Sequence, residues 1–211
     1  MSTKISKPIY WSTAVKHLHQ VDPVLSDLIN RYKSRKFLIR TNSIFTTFFK
    51  IIIGQQISIE AANSIEKKII QKFGRITSRK ILNIKDIELR NCGLSYRKVD
   101  YIKGIAMMCK DNIRFFRNLK NMDDKKAIDE LISIYGIGKW SAEMFLIFNQ
   151  NRMNILPLGD VGLINSFCKN YQINRNQFIT RIDKYRRLWD PYCTVATWYL
   201  WRDIDEDIVQ Y

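Results

Sequence analysis

"YGIGKWSAEMFLIF", residues 135–148, places a glycine–isoleucine–glycine triplet between two stretches of helical pattern. Upstream, Ala127, Leu131 and Ile134 recur at helical spacing; downstream, Trp140, Met144, Ile147 and Phe148 do the same. A glycine inside a helix costs about 1 kcal/mol relative to alanine, so Gly136 and Gly138 together mark a deliberate break. Two helices joined by such a turn bring the N–H groups of the turn and of the second helix's first residues to one exposed point. Those donors have no acceptor within the helix, and the helix dipole adds partial positive charge. Glycine also leaves no Cβ to hold an anion away. The pattern fits a main-chain phosphate site, with Lys139 near enough to assist, and it equally fits a plain helix–turn–helix corner with a glycine cap.

Outward from this break the helix signals are many and the strand signals few. "SIEAANSIEKKIIQKF" (58–73) sets Ile65, Ile69 and Phe73 on one face with lysines opposite, and Ser58 is placed to cap it. "FITRIDKYRRLW" (178–189) repeats Phe178, Ile182, Tyr185 and Trp189; Asp190 and Pro191 stop it, and "CTVATWYLWRD" resumes as another helix. "YWSTAVKHLHQVDPVLSDLINRY" reads as two helices with Pro23 just inside the second, and "RTNSIFTTFFKIIIG" as one ending at Gly54. About ten helices result, with no sustained period-two alternation. The fold class is all-α: one domain over residues 1–211, built as two helical lobes flanking a cleft, with the helical hairpin over residues 127–149.

The chain has 35 Lys and Arg against 20 Asp and Glu, a net charge of +15, in a sequence that is 46% hydrophobic. The hydrophobic content excludes a disordered chain, and the charge excess favours a polyanionic partner, nucleic acid before membrane. Basic faces recur in "EKKIIQKFGRITSRK", "RFFRNLKN" and "RIDKYRR", and predict phosphate contacts that weaken steeply with salt. The most apolar stretches, "SIFTTFFKIIIG" and "MFLIF", are too short or carry a lysine, so no membrane span is expected. The start, "MSTKISKPIYW", lacks the apolar run of a signal peptide. Cys92, Cys109, Cys168 and Cys193 form no close pair, which fits scattered reduced thiols and neither a disulfide framework, a zinc site nor an iron–sulfur centre. His17 and His19 point to different helix faces and make a poor metal pair. No metal site is expected.

"GDVGLINSF" reads as an aspartate, Asp160, at the N-terminus of a helix, after Pro157 and Gly159. Such a residue is a helix cap in any protein; it can also be a carboxylate held rigidly for chemistry.

"LISIYGIGKWSAEMFLIF" resembles the helix–hairpin–helix of the DNA glycosylase superfamily, whose pattern runs L-x-x-x-x-G-I-G-x-W-T-A. "NILPLGDVGLINSF" is similar to that family's P-x-x-D-x-G-L stretch, and "IIIGQQIS" to the segment that fills the gap left by an extruded base. "GLSYRKVDYIKGIA" and "RRLWDPYCTVATWYLWR" resemble the element before the hairpin and the closing helix. The match runs from Tyr10 to Arg202 in the family's order and is nearest to the 3-methyladenine DNA glycosylase II type, monofunctional enzymes that excise alkylated purines.

The resemblance implies a set of roles. Asp160 is the catalytic carboxylate, aimed into the cleft. Gly136, Gly138 and Lys139 grip DNA, with Gln55, Gln56 and Ser58 on the exposed turn, Gln56 being the wedge; two solvated turn glutamines are the plain alternative. Trp140 and Trp201 line the base pocket beside Met144, with Tyr10 or Trp11 as further candidates; core packing is the alternative for each tryptophan. Met144 stands where relatives carry an aromatic, which leaves the range of accepted bases open, while Ser141 for Thr and Leu156 for Phe are milder departures. Trp140 also occupies the position of the lysine nucleophile in strand-cutting relatives, so base release without a lyase step is expected. The expected partner is double-stranded DNA with damaged bases, bound by a monomer in the nucleoid-bearing cytoplasm or the nucleus. No cofactor is required, and a monovalent cation at the hairpin carbonyls is the one ion the resemblance admits. A non-catalytic DNA clamp and a bifunctional glycosylase/lyase for oxidised bases are the competing functions. The first leaves Asp160 within "LPLGDVGL" unexplained; the second lacks the lysine and the cysteine cluster.

Overall fold

The computed structural model describes residues 7–33, 38 and 43–204. Among them are thirteen α-helices, two 3-10 turns and no strand. In chain order these are α1 (Trp11–Val21), α2 (Pro23–Tyr32), α3 (Ile44–Gly54), α4 (Ile59–Phe73), α5 (Ser78–Leu82), α6 (Asp86–Arg90) and α7 (Tyr96–Asp111). Then come α8 (Ile113–Asn118), α9 (Asp124–Ile132), α10 (Lys139–Phe148), α11 (Val161–Asn170), α12 (Phe178–Trp189) and α13 (Cys193–Arg202). The all-α class expected from the periodicities is what the chain adopts. The stretch expected to begin a helix at residue 40 starts it at Ile44, with Ser43 accepting from the Thr46 N–H; residues 40–42 lie outside the described residues.

The chain divides into two compact units, Met1–Arg40 with Leu146–Gln210, and Thr41–Phe145. In the first, α13 is the central element: every residue from Cys193 to Arg202 is buried. Trp11 packs edge-on against Trp198 at 5.2 Å and is itself 3% exposed, so this pocket candidate is a core side chain. Asp22 ties three other elements together. Its Oδ1 accepts from the Val24 and Leu25 N–H groups as the cap of α2, and its Oδ2 accepts from the Tyr171 hydroxyl at 2.6 Å and the Trp189 indole N–H at 2.8 Å. A buried carboxylate is tolerable only with donors on both oxygens, and Asp22 has them. His17 donates to the Leu188 carbonyl at 2.8 Å while His19 faces Ser26 at 3.2 Å, so the two rings serve different elements.

The second unit is built on α3, where Phe45, Phe48, Phe49 and Ile51 to Ile53 are all buried. Phe48 stacks on Phe145 at 4.2 Å and meets Phe116 at 5.5 Å. Val99, Ile102, Ile105 and Ala106 of α7 complete this core. Lys98 of α7 donates to the Ile53 carbonyl at 2.6 Å, and burial pulls its ammonium below the usual lysine range. On α4 only Ile69 is fully buried, which leaves a long polar face, and Ser58 caps it by accepting from the Ala61 N–H at 3.3 Å.

Candidate functional site

The hairpin lies in the second unit. Asp123 caps α9 by accepting from the Lys126 N–H at 2.8 Å, and the helix ends at Ile132. The turn is held from inside by Ile134 and Ile137, 8% and 3% exposed, with the Ile137 N–H on the Ile134 carbonyl at 3.0 Å. Its two glycines do different work. Gly136 has φ +87°, and a Cβ there would lie 2.2 Å from Tyr101 Cγ, so backbone and packing both demand glycine. Tyr101 in turn packs edge-on against the exposed Tyr135 at 5.0 Å. At Gly138 a Cβ would meet nothing within 4 Å. The residue is exposed, as is Lys139, and the N-terminus of α10 begins here with the Ala142 N–H on the Gly138 carbonyl at 3.0 Å. An open approach to the first N–H groups of a helix is the geometry that suits an anion.

The α3–α4 turn is fastened to this hairpin. Gln55 donates from Nε2 to the Gly136 carbonyl at 3.0 Å and to Ser141 Oγ at 2.9 Å, bridging the turn and the start of α10. Gln56 is exposed and left-handed, with φ +58°. The two glutamines, equivalent in the sequence, therefore divide: Gln55 organises the hairpin and Gln56 faces solvent. Further along α10, Trp140 is half-buried and Met144, one turn on, is 1% exposed.

Asp160 lies in the first unit and caps α11. Its Oδ1 accepts from the Leu163 N–H at 2.7 Å and from the Trp201 indole N–H at 2.8 Å. The residue is only partly buried. Trp201, 7% exposed, stacks nearly parallel on Phe148 with ring centres 5.8 Å apart. Gly162 completes the arrangement: a Cβ on it would lie 3.2 Å from Asp160 Oδ1 and 3.3 Å from Trp201 Cδ1. Neither the indole–carboxylate bond nor the tight packing at Gly162 is legible in sequence, although Gly162 stands within the P-x-x-D-x-G-L pattern. The cysteines carry no comparable chemistry. All four are free, and burial pushes the Cys109 and Cys193 thiols up to about 12. Among the described residues no group of three or more His, Cys, Asp and Glu could hold a metal, and no helix is long and apolar enough to cross a membrane.

Residues 49–191, a span that holds both the hairpin and Asp160, match the family described as HhH-GPD superfamily base excision DNA repair protein. The chain belongs to that superfamily. Its relatives include DNA-3-methyladenine glycosylase 1 of Schizosaccharomyces pombe, 28% identical over 182 residues, covering 84% of this chain and 79% of that protein. A crystal structure of a DNA-3-methyladenine glycosidase from Bacillus halodurans superposes with a TM-score of 0.71 at 29% identity, covering 92% of this chain and 89% of that one. The 3-methyladenine glycosylase of Archaeoglobus fulgidus superposes with a TM-score of 0.74 at 26% identity, over 93% of this chain and 76% of its own.

Proposed function

We propose that this protein is a monofunctional DNA glycosylase that hydrolyses the N-glycosidic bond of alkylated purines, of the 3-methyladenine and 7-methylguanine class, in base excision repair. The observation that carries the proposal is Asp160: a partly exposed carboxylate at a helix N-terminus, with Oδ1 held by two donors, inside the stretch that matches the family.

A purine alkylated at N3 or N7 is already cationic. When its bond to C1′ breaks, the electron pair stays with the base, which leaves neutral and needs no acid. Most glycoside hydrolases use a second carboxyl for that step, and here it is dispensable. Asp160, ionised, stabilises the oxocarbenium-like sugar and guides a water to C1′; the water's oxygen bonds to C1′ and its proton passes to the carboxylate or solvent. Trp140, where lyase relatives carry lysine, offers no amine for a Schiff base, so the abasic strand stays intact.

DNA is gripped by the main chain around Gly138, aided by Lys139, and Gln56 enters the duplex as wedge from a turn whose other glutamine is fixed. Trp140 and Met144 contribute to holding the flipped base. The substrate is double-stranded DNA with damaged bases, met by a monomer. No cofactor takes part. A monovalent cation at the hairpin would share oxygens already in use, since the Ile134, Gly136 and Gly138 carbonyls accept from Ile137, Gln55 and Ala142; each keeps a second lone pair for it.

The test is to incubate the protein with methylated duplex DNA, identify the freed bases and assay strand cleavage separately. Asp160→Asn is expected to bind abasic-site DNA as the parent does and to release no base above background. Near-parental release, or a borohydride-trapped adduct, refutes the assignment.

A further inference from the structure

We propose that Trp201 is a positioning residue for the Asp160 carboxylate, and that Gly162 makes this possible; the inference rests on the glycosylase reading of Asp160. The resemblance assigns Trp201 to the wall of the base pocket, which requires an available ring face. The residue is 7% exposed, and one face of its ring is stacked on Phe148 at 10° between planes. Its N–H is committed to Asp160 Oδ1 at 2.8 Å.

That bond adds something the helix cap alone does not supply. The Leu163 N–H holds Oδ1 from the α11 side at 2.7 Å. A second donor on the same oxygen, carried by α13 across 41 residues of sequence, fixes the orientation of the group and hence the direction of Oδ2. Electrostatic catalysis depends on charge that is already in place when the sugar becomes cationic, and small displacements of such a group are costly. The indole is fixed in turn by Phe148. The approach is tight at residue 162: a methyl there would stand 3.2 Å from Asp160 Oδ1, 3.3 Å from Trp201 Cδ1 and 3.1 Å from Ile204 Cδ1, so these neighbours would have to give by a few tenths of an ångström.

Two substitutions test this against the stacking role. Trp201→Phe keeps an aromatic face and removes the N–H. If Trp201 positions Asp160, single-turnover release of 7-methylguanine slows about tenfold to a hundredfold, while KM, affinity for abasic-site DNA and inhibition by free 3-methyladenine hold at parental values. Gly162→Ala keeps the indole N–H but displaces both partners, and should reproduce the same split between rate and binding. A Trp201→Phe enzyme that is folded by thermal melting and releases base at the parental rate overturns the inference. So does a loss confined to free-base inhibition. Should Trp201→Phe fail to fold, Gly162→Ala decides alone, with parental release overturning the inference. Asp160→Asn, run alongside, separates the two levels. If it retains release, the catalytic assignment of Asp160 falls; if it alone is inactive, only the role of Trp201 does.

Discussion

Alanine at each of the two hairpin glycines should injure different properties of the protein. At position 136 an alanine must adopt φ near +87°, which costs a non-glycine residue about 1–2 kcal/mol. Its methyl group would also stand 2.2 Å from Tyr101 Cγ, with Cδ1 and Cδ2 at 2.4 and 2.7 Å, so the whole ring and its edge-on contact with Tyr135 must shift. Overpacking of that kind adds about 1–3 kcal/mol. Together the two terms destabilise by about 2–5 kcal/mol, or roughly 4–20 °C in Tm for a chain of this size. At position 138 there is neither a positive φ nor any atom within 4 Å of the added methyl, so stability should stay within about 0.5 kcal/mol of the parent. The methyl would instead stand in the open approach to the helix N-terminus and weaken abasic-site DNA binding by about tenfold, the worth of one charge-assisted contact. Thermal melts and fluorescence-anisotropy titrations at fixed salt measure both variants. A Gly138→Ala protein that binds DNA as the parent does refutes the main-chain phosphate site. A Gly136→Ala protein with parental Tm refutes the packing account.

Two further outcomes are expected. Asp203, at the end of α13, is disfavoured as an anion by burial, yet hydrogen bonds from Lys169, Asn170 and Tyr32 hold its carboxyl below the usual range. A depressed carboxylate contributes stability that is present above its unfolded value near 3.8 and disappears as pH falls through the folded one. Asp203→Asn should therefore cost about 1–3 kcal/mol in urea titrations at pH 7 and progressively less as the pH is lowered below 3.8; a cost that does not decline below that pH would contradict the ionic account. Asp22→Ala removes the cap of α2 and strands the Tyr171 hydroxyl and Trp189 N–H, so a loss of about 3–5 kcal/mol is expected from the same titration, and a loss under about 1 kcal/mol would show those bonds to be dispensable.

Legibility in the sequence followed the length over which each signal acts. Caps and stops are local chemistry. Ser58, Pro23, Gly54 and the Asp190–Pro191 pair marked the helix limits that the chain adopts, and α12 runs from Phe178 to Trp189 as its periodicity requires. About ten helices were expected and thirteen are present among the described residues, because α5, α6 and α8 have five or six residues, less than two turns, too few for an apolar stripe to repeat. Tertiary demands left no trace. That Gly136 answers to Tyr101, that Gln55 rather than Gln56 fastens the hairpin, and that the Trp201 N–H is bound to Asp160 each require knowing what stands opposite a residue far away in the chain. Aromatic identity was the weakest guide: Trp11 and Trp201 look alike in the sequence, yet one packs among core rings and the other donates to a carboxylate.

The hydrogen bonds on Asp160 bear on which chemistry a single carboxylate can perform. The backbone N–H at 2.7 Å and the indole N–H at 2.8 Å both fall on Oδ1 and hold the carboxylate in one orientation. As a fixed charge the same group gives up nothing, because its donors remain in place while positive charge develops on the sugar. A single carboxylate also carries a restriction on substrate. On the proposed reading, in which no acid protonates the leaving base, the reaction would depend on a base that departs neutral, so selectivity for alkylated purines would begin with the charge of the lesion itself, before any contact with the protein discriminated among shapes.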